Sequence, residues 1–263
     1  MNVLVTGGTG ILGHHVVTGL GQSGHRIRIL SRHPGASVDA VQGDLRTGAG
    51  IREAVAGMDA VVHCATGVRE SLTSRSVDVK GTGRLLAAAR EAGTKHFVFM
   101  SIVGIEGVAF PYYRTKLEAE ALVRQGVVPW SILRATQFHE LMEFYLGALS
   151  LVPGVTPVPF RWRFQPVDPK EVAQRLVEVV LALPGGQFED FGGPEIHDFK
   201  SIAELWLAAR KQRRKLVKLW LPFRFSRQFS AGLLTTPDHK NGKITFAAYL
   251  AEKYAQPSTQ YCK

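Results

Sequence analysis

The sequence predicts an α/β protein with a doubly wound parallel sheet and a small C-terminal lobe. Three observations support this fold class. Short apolar runs rich in β-branched residues alternate with helical patterns. The runs are apolar on both faces, as a sheet covered by helices on both sides requires. A glycine-rich turn joins the first run to the first helical pattern, and glycine provides the backbone freedom that a tight strand-to-helix turn needs.

The elements of the first half follow in order. The first helix has an apolar stripe from Ile11 to Leu20 and ends near Gly24. A second, longer helix is predicted at residues 72–92 and ends at Gly93. The strands are predicted at Val3–Thr6, Arg26–Leu30, Val38–Val41, Asp59–Cys64, Phe97–Met100 and Ser131–Leu133. The other helices are predicted at Ile51–Ala56, Leu72–Ala92 and Tyr112–Arg124.

The pattern loosens after residue 150. Residues 151–167 are rich in proline and aromatic residues, which indicates irregular or edge structure. Asp168 caps a helix with proline at its first position and Glu171 three residues after the cap. We expect this helix to reach Ala182, followed by a strand at Phe188–Phe191 and a helix at Ile202–Arg210. The predicted domains are therefore residues 1–150 and a lobe of residues 151–263, with residues 168–193 packing back on the first domain.

Composition excludes several classes of protein. The chain has 263 residues, 45% hydrophobic and 21% charged, which is typical of a globular protein with a buried core. Cys64 and Cys262 cannot form a disulfide framework, which favours a reducing compartment. No apolar run approaches the roughly 20 residues of a membrane span. The first strand begins at Asn2 and leaves no room for a signal peptide, so we expect a cytoplasmic protein.

A glycine pattern carries the strongest functional information. Gly7, Gly10 and Gly13 lie between the first strand and the first helix. Glycines there provide a tight turn, close approach of the backbone to a pyrophosphate, and close packing of helix on strand. The N-terminus of the helix adds unpaired N–H groups and partial positive charge for phosphates. The sequence therefore predicts dinucleotide binding.

The spacing Gly-x-x-Gly-x-x-Gly resembles the short-chain dehydrogenase/reductase superfamily, in particular its extended and atypical branches and the NmrA-like group. Further stretches of residues 1–182 match in order: Gly43-Asp44-Leu45, Val61 to Ala65, Ser131 to Arg134, and Pro166-Val167-Asp168. The resemblance implies a Rossmann-like fold and an NAD(P) cofactor. It also implies cofactor contacts, which we assign to Gly7, Thr9, Gly10, Ile11, Leu12, Gly13, Asp44, Leu45, Ala65, Thr66 and Lys116.

The end of the second strand favours NADP over NAD. An NAD enzyme places a carboxylate there for the ribose hydroxyls, but the sequence has Ser31 and Arg32 and no carboxylate until Asp39. The Arg32 guanidinium pairs with a 2′-phosphate in this interpretation, and Ser31 donates to it. NAD remains the alternative, with Arg32 as an ordinary surface residue.

Tyr112 and Lys116 are the candidate proton-transfer pair. They are four residues apart and share a helix face. A nearby ammonium stabilises phenolate and lowers the pKa of a tyrosine. The resemblance makes this Tyr-x-x-x-Lys pair the catalytic core and assigns the accompanying serine to Ser101. The interval between Ser101 and Tyr112 is short for the extended branch, so the alternative is a member that keeps the fold without the reaction.

Two residues after the sixth strand are candidate substrate contacts, namely Gln137 and His139. A structural hydrogen bond of a histidine at a helix start is the alternative for His139. No group of histidine, cysteine or carboxylate residues has the spacing of a metal site. No serine lies in the strand–turn elbow of a nucleophilic triad.

The positive charge lies in the last quarter of the chain. Residues 200–263 carry 13 basic and 3 acidic side chains, whereas residues 1–199 carry 19 of each. Residues 206–229 interleave cations with aromatic rings. Three interpretations stay open: helices that pack their rings on the body, contact with anionic lipid or a lipid-like substrate, and binding of nucleic acid or an acidic partner. We expect no nucleic-acid binding by the protein as a whole.

The leading functional prediction is NADP-dependent oxidoreduction of a small, largely apolar carbonyl or alcohol. Tyr112 transfers the proton, Lys116 tunes it and Ser101 assists. The alternative is a non-catalytic dinucleotide sensor of the NmrA-like type. The substrate and the oligomeric state stay open.

Overall fold

A computed structural model describes residues 1–33, 39–67 and 75–255. Its strands are β1 (Asn2–Thr6), β2 (Arg26–Ser31), β3 (Ala40–Gln42), β4 (Ala60–His63), β5 (His96–Ile102), β6 (Trp130–Ala135), β7 (Val155–Val158), β8 (Arg163–Phe164), β9 (Gly186–Gln187), β10 (His197–Asp198) and β11 (Lys215–Lys218). Its α-helices are α1 (Ile11–Gln22), α2 (Ile51–Val55), α3 (Thr82–Glu91), α4 (Pro111–Gln125), α5 (His139–Leu149), α6 (Pro169–Leu181), α7 (Phe199–Ala209), α8 (Arg224–Ser230) and α9 (Phe246–Ala255).

The main sheet has seven strands in the order β3-β2-β1-β4-β5-β6-β9. β1 pairs in parallel with β2 on one side and with β4 on the other, so Thr6 lies opposite both Leu30 and His63. The chain winds outward from β1 to β3 and then returns to β4. This reversal opens a crevice beyond the carboxyl ends of β1 and β4, where such sheets bind ligands. The predicted doubly wound fold is confirmed.

Contacts divide the chain into two units that interleave along the sequence. The first unit comprises residues 1–106, 110–134 and 169–189, and the second comprises residues 107–109, 135–168 and 190–263. In the first unit, α6 packs along α1, and β4 and residues 3–6 of β1 are buried. Its largest buried side chains include Phe97, Phe99, Leu4, Leu85 and Ile132.

The second unit has its own apolar core and two small sheets. β7 pairs in parallel with β11, and β8 pairs antiparallel with β10. The core contains Met142, Leu146, Phe164, Phe199, Ile202, Trp206, Phe246 and Leu250. The buried side chain of Gln165 joins its loops, because its Nε2 donates to the carbonyl of Gly193 and its Oε1 accepts from the amide of Thr236.

Several local predictions need correction. The last strand of the main sheet is Gly186–Gln187 rather than Phe188–Phe191, since the pairing with β6 begins at Gly186 and only Phe191 forms a further isolated bridge. The proline-rich residues 151–167 contain the short strands β7 and β8, each in a two-stranded sheet, which agrees with the predicted edge structure. The predicted helix at residues 72–92 is described from residue 75 onward, as a π-helical turn at Ser76–Gly81 followed by α3. Val38, Leu72 and Cys262 lie outside the described residues.

None of the helices in the described part of the chain is long and apolar enough to cross a bilayer.

Candidate functional site

The glycine turn between β1 and α1 is shaped by close backbone contacts. Gly7 has a φ of 70°, and a Cβ on it would lie 2.7 Å from the backbone nitrogen of Ala65. A Cβ on Gly13 would lie 2.1 Å from the carbonyl oxygen of Gly7. These two positions therefore require glycine for the packing of the first helix against the ends of β1 and β4.

Gly10 has a different environment. It is the N-cap of α1, and a Cβ on it would meet only the Gly7 carbonyl oxygen, at 3.2 Å. Thr9, Gly10 and Ile11 are exposed, and the first turn of α1, all of which is described, carries no acidic residue. The positive end of α1 is thus open to an anion at the crevice, which is the arrangement that binds pyrophosphate.

Charged groups gather where β2 and β3 end. The Asp44 carboxylate accepts from the backbone amide of Arg46 at 2.8 Å and from its guanidinium at 3.0 Å. Burial opposes the lowering of the Asp44 pKa, but the bonds from Arg46 and the nearby charges of Arg46 and Arg32 outweigh it. Arg32 is exposed and lies within electrostatic reach of Asp44. Ser31 donates to the carbonyl of His33 at 3.1 Å.

The turn after β3 also fixes Leu45. Its side chain is 7% exposed and belongs to the core of the first unit, and its carbonyl accepts from Arg84 at 3.1 Å. The predicted site therefore includes one residue, Leu45, whose side chain is part of the core.

Tyr112 lies in a chain of three side chains. Its hydroxyl oxygen is 2.9 Å from the hydroxyl of Thr66, which donates to Oδ1 of Asp78 at 2.9 Å. A threonine hydroxyl has one proton, so Tyr112 is the donor to Thr66. Asp78 is 1% exposed, and its Oδ2 accepts from the backbone amide of Gly67 at 3.0 Å. The tyrosine hydroxyl is thus held at the end of β4 by Thr66 and Asp78.

Lys116 lies one turn further along α4 and is 4% exposed. Its Nζ donates to the carbonyl of Met100 at 2.9 Å and lies 4.2 Å from the centroid of the Phe99 ring. Burial lowers the pKa of Lys116, and the charges of Asp78 and Glu120 oppose that shift. Burial therefore destabilises the charged form of Lys116, and the carboxylates of Asp78 and Glu120 offset part of this effect.

Ser101 belongs to a different cluster. It is 1% exposed, and its hydroxyl lies beside Glu120, whose carboxylate accepts from Arg134 at 2.8 and 2.9 Å. Burial raises the pKa of Glu120, but the hydrogen bonds from Arg134 and Arg124 and the nearby Ser101 hydroxyl lower it further than burial raises it. The Ser101 hydroxyl is itself buried and forms no hydrogen bond within the described residues.

His63 is buried at the end of β4. Its Nδ1 is 2.6 Å from the hydroxyl of Thr6, and its Nε2 is 3.0 Å from the hydroxyl of Thr82. Burial and the nearby charge of Lys116 lower its pKa to about 3. The neighbouring Cys64 thiol has its pKa raised to about 12 by burial, against the charge of Lys116. Both residues are therefore neutral structural groups.

Gln137 and His139 lie in the second unit with their side chains engaged there. Nε2 of Gln137 donates to the carbonyl of Leu234 at 2.9 Å, and its Oε1 accepts from the amide of Gln165 at 3.2 Å. His139 is fully buried, with Nε2 3.2 Å from the carbonyl of Ile244 and its ring 4.9 Å from that of Tyr249. Burial lowers its pKa to about 4. Substrate contact by either residue stays a prediction.

Sequence analysis missed Asp78, Glu120 and Arg46. Asp78 and Glu120 are carboxylates on otherwise amphipathic helices, and only the spacing of Glu120 four residues after Lys116 indicated a shared face. The role of Arg46 could not be predicted from the sequence, because it depends on the turn that brings its guanidinium to the Asp44 carboxylate. Among residues 1–33, 39–67 and 75–255, no three His, Cys, Asp or Glu residues are grouped to hold a metal ion.

The fold and this crevice define an α/β protein of the dinucleotide-binding class. Comparison with known families matches residues 7–143 to an NAD(P)H-binding family. The chain belongs to this family, which confirms the resemblance to the atypical, NmrA-like members of the short-chain dehydrogenase/reductase superfamily.

Curated relatives have several functions. A (4-alkanoyl-5-oxo-2,5-dihydrofuran-3-yl)methyl phosphate reductase of Streptomyces griseus is 31% identical over 85% of this chain and 76% of the relative. Human 3 beta-hydroxysteroid dehydrogenase type 7 is 34% identical over 50% of this chain. The photosystem II assembly factor Ycf39 of Trieres chinensis is 31% identical over 55%. The chain spans only 44% of the human relative and 49% of the assembly factor.

Solved structures share the fold at low identity. A short-chain dehydrogenase/reductase superfamily protein from Agrobacterium tumefaciens with bound NAD superposes with a TM-score of 0.71 at 23% identity, over 97% of this chain and 96% of that one. UDP-glucose 4-epimerase from Thermotoga maritima gives a TM-score of 0.75 at 16% identity, over 97% and 98%.

Proposed function

We propose that this protein is an NADP-dependent oxidoreductase acting on a small, largely apolar carbonyl or alcohol. The observation that carries the proposal is the Tyr112 hydroxyl, which is held by Thr66 and Asp78 at the end of β4, the strand beside the glycine turn. A phenol at the ligand-binding edge of the sheet is suited to exchange a proton with a substrate oxygen.

The cofactor fits the glycine turn. Thr9, Gly10 and Ile11 and the open end of α1 bind the pyrophosphate, whereas Gly7 and Gly13 permit the close packing that forms the turn. Leu12, Asp44, Leu45, Ala65, Thr66 and Lys116 complete the proposed set of cofactor residues. A bound nicotinamide would supply or accept the hydride.

Residues of the first unit transfer the proton between the protein and the substrate oxygen. In the reducing direction, the Tyr112 hydroxyl turns its proton from Thr66 to the substrate oxygen and donates it there. In the oxidising direction, the phenolate takes the proton back from the substrate hydroxyl and the hydrogen bond to Thr66 forms again. The ammonium of Lys116, held by the Met100 carbonyl, favours the phenolate that remains. Thr66 keeps the tyrosine oxygen in place, and Asp78 fixes the orientation of Thr66.

The preference for NADP rests on Arg32, supported by Arg46. Both guanidinium groups lie near Asp44, and a 2′-phosphate at the end of β2 would meet them there. We expect Arg32→Ala to raise the Kd for NADPH about tenfold and to change that for NADH little. Arg52→Ala, an exposed arginine paired with Glu91 on the same unit, is the control. Equal losses for both nucleotides would contradict the preference.

The reductase from Streptomyces griseus supports a reductive reaction, because it is similar over most of this chain. Its name describes a furanone with an alkanoyl group and a methyl phosphate, a substrate that combines carbonyl groups with an apolar chain and an anionic group. This supports a carbonyl compound of similar character here.

The decisive experiment measures NADPH oxidation with a panel of apolar aldehydes, ketones and enones. We expect turnover by the wild type and a loss of roughly 100-fold or more in Tyr112→Phe, with NADPH binding retained. Tyr113→Phe, at the next position of α4, should keep most of the activity.

A dinucleotide sensor is the second candidate. The observation that favours it is the burial of Ser101 beside Glu120, which separates the expected substrate-orienting serine from solvent. NADPH binding without turnover across the panel would support the sensor and exclude the oxidoreductase.

A further inference from the structure

We propose that the second unit docks reversibly on membrane surfaces that contain anionic lipids. The docking surface is a basic–aromatic strip made of Lys218, Trp220, Phe223, Arg224 and Arg227. This inference is independent of the reaction proposed above.

The first half of the strip is built on an edge strand. β11 pairs in parallel with β7, and its residue Leu216 packs toward the core of the second unit. The amide of Leu219 still donates to Val158 at 2.8 Å, and the next residue, Trp220, is 75% exposed. A tryptophan of such exposure leaves a large apolar ring in water.

The second half of the strip is the outer side of α8. The inner side of this helix packs on Trp162, whose ring centroid lies 4.6 Å from that of Phe229 and 6.0 Å from that of Phe225. The indole of Trp162 donates to the hydroxyl of Ser226 at 2.9 Å. Because one side is fixed in this way, Arg224 and Arg227 are exposed, and Phe223 is 53% exposed.

The aromatic residues of this segment thus fall into a packed group and an exposed group. Phe225 and Phe229 pack on the body, as the simplest interpretation of the sequence expects, but Trp220 and Phe223 do not. Apolar rings beside cations on one surface are the composition of a membrane-interface segment, where rings enter the headgroup region and cations meet lipid phosphates.

Charge favours an anionic partner. Residues 205–237 contain eight lysine and arginine residues and no aspartate or glutamate. Arg214 is engaged by the carbonyl of Ser150 at 2.8 Å and Arg210 lies over the ring of Trp206 at 4.6 Å, so these two serve the fold. Lys218, Arg224 and Arg227 form no salt bridge within the described residues. Their charges are therefore available to lipid headgroups.

The aromatic geometry favours lipid over nucleic acid. Phe223 stacks against Phe225 with ring centroids 5.3 Å apart and an interplanar angle of 10°, so one face of its ring is already covered. Stacking of bases requires open ring faces, whereas insertion among acyl chains requires only exposed apolar area.

The test is co-sedimentation of the full chain with phosphatidylcholine vesicles and with vesicles that also contain phosphatidylglycerol. We expect binding to the anionic vesicles only, weakened by added salt. Lys218→Gln with Arg224→Gln should lower the partition coefficient about fivefold for each charge removed. Arg52→Gln with Lys95→Gln removes the same charge from exposed positions of the first unit and should lower it less.

The apolar contribution has its own variants. Trp220→Ala with Phe223→Ala should abolish sedimentation, whereas Leu183→Ala, at an 87% exposed leucine of the first unit, should leave it unchanged. Vesicles with brominated acyl chains should quench tryptophan fluorescence in the wild type. Trp220→Phe should keep the binding and lose most of the quenching, since Trp206 is only 3% exposed and Trp130 and Trp162 are half-buried.

Three results would overturn the proposal: no sedimentation with anionic vesicles, equal sedimentation with vesicles of phosphatidylcholine alone, or quenching in Trp220→Phe as strong as in the wild type. Binding of an oligonucleotide that the Trp220 and Phe223 variants abolish, without vesicle binding, would assign the strip to nucleic acid instead.

Discussion

The hydroxyl of Tyr112 donates to the hydroxyl of Thr66, which in turn donates to the buried carboxylate of Asp78. This relationship ties the predicted proton donor on α4 to the loop after β4, and it gives the site a fixed direction of hydrogen bonding. The predictions below begin with it.

Replacing Thr66 by valine removes both hydrogen bonds without changing the shape of the side chain. Tyr112 loses its acceptor and Oδ1 of Asp78 loses its donor, so the free energy of unfolding should fall by about 1–3 kcal/mol. We expect kcat to fall about tenfold, because the tyrosine is no longer held. Thr66→Ser keeps the hydroxyl and should restore both quantities. Urea unfolding and steady-state kinetics measure the two effects, and a serine variant as impaired as the valine variant would contradict the role of the hydroxyl.

Gly13→Ala tests the packing of the glycine turn. The added methyl group would lie 2.1 Å from the Gly7 carbonyl oxygen, so α1 must shift at a cost of about 1–3 kcal/mol in the free energy of unfolding. NADPH affinity should fall as well, measured by fluorescence titration. Gly147→Ala is the matched control, since Gly147 lies in α5 with no atom within 4 Å of an added Cβ. That variant should be as stable as the wild type or up to about 1 kcal/mol more stable. Equal stability of the two variants would show that the turn tolerates a side chain.

Glu120→Gln tests the buried charge cluster beside Ser101. The Glu120 side chain is 3% exposed and that of Arg134 is 9% exposed, so the change leaves the buried guanidinium with only the carboxylate of the exposed Glu106. The free energy of unfolding should fall by about 3 kcal/mol. Glu178→Gln on α6 breaks an exposed pair with Arg175 and should change it by less than about 0.5 kcal/mol. A small effect at Glu120 would mean that solvent reaches the cluster.

Stability should fall in mild acid because of His63. Burial holds its pKa at about 3, against 6.5 for the free side chain, so the unfolded chain takes up a proton over a range in which the folded chain does not. The free energy of unfolding therefore decreases as pH falls from 6.5 towards 3, by up to about 1.4 kcal/mol per pH unit from this residue.

The measurement compares wild type and His63→Asn by denaturant unfolding at several pH values. The variant should be less stable at neutral pH, because Thr6 and Thr82 lose a partner, and its stability should depend less on pH. Parallel curves for the two proteins would assign the acid sensitivity elsewhere, for example to His139, whose pKa burial lowers to about 4.

Local patterns were sufficient to predict most of the first unit. The apolar runs of β1 and β4 are buried on both faces, so their composition was enough to predict them as strands. Glycine is required at positions 7 and 13 because of close backbone contacts around the turn between β1 and α1. The second unit was harder. Its strands β7 and β11 have four residues each, which is too short to show a clear hydrophobic periodicity. They also pair across 60 positions of the chain, a contact that local patterns do not predict.

Residues close together in the chain were enough to predict the family, the doubly wound sheet, the glycine turn, and the shared helix face of Tyr112 and Lys116. The folded structure fixes which partner each polar group takes: Thr66 and Asp78 for Tyr112, Arg134 for Glu120, and Arg46 for Asp44. It also exposes Trp220 and Phe223, buries Phe229 and leaves Phe225 half-buried. Such choices depend on burial and on contacts between distant segments, which one-dimensional spacing does not specify.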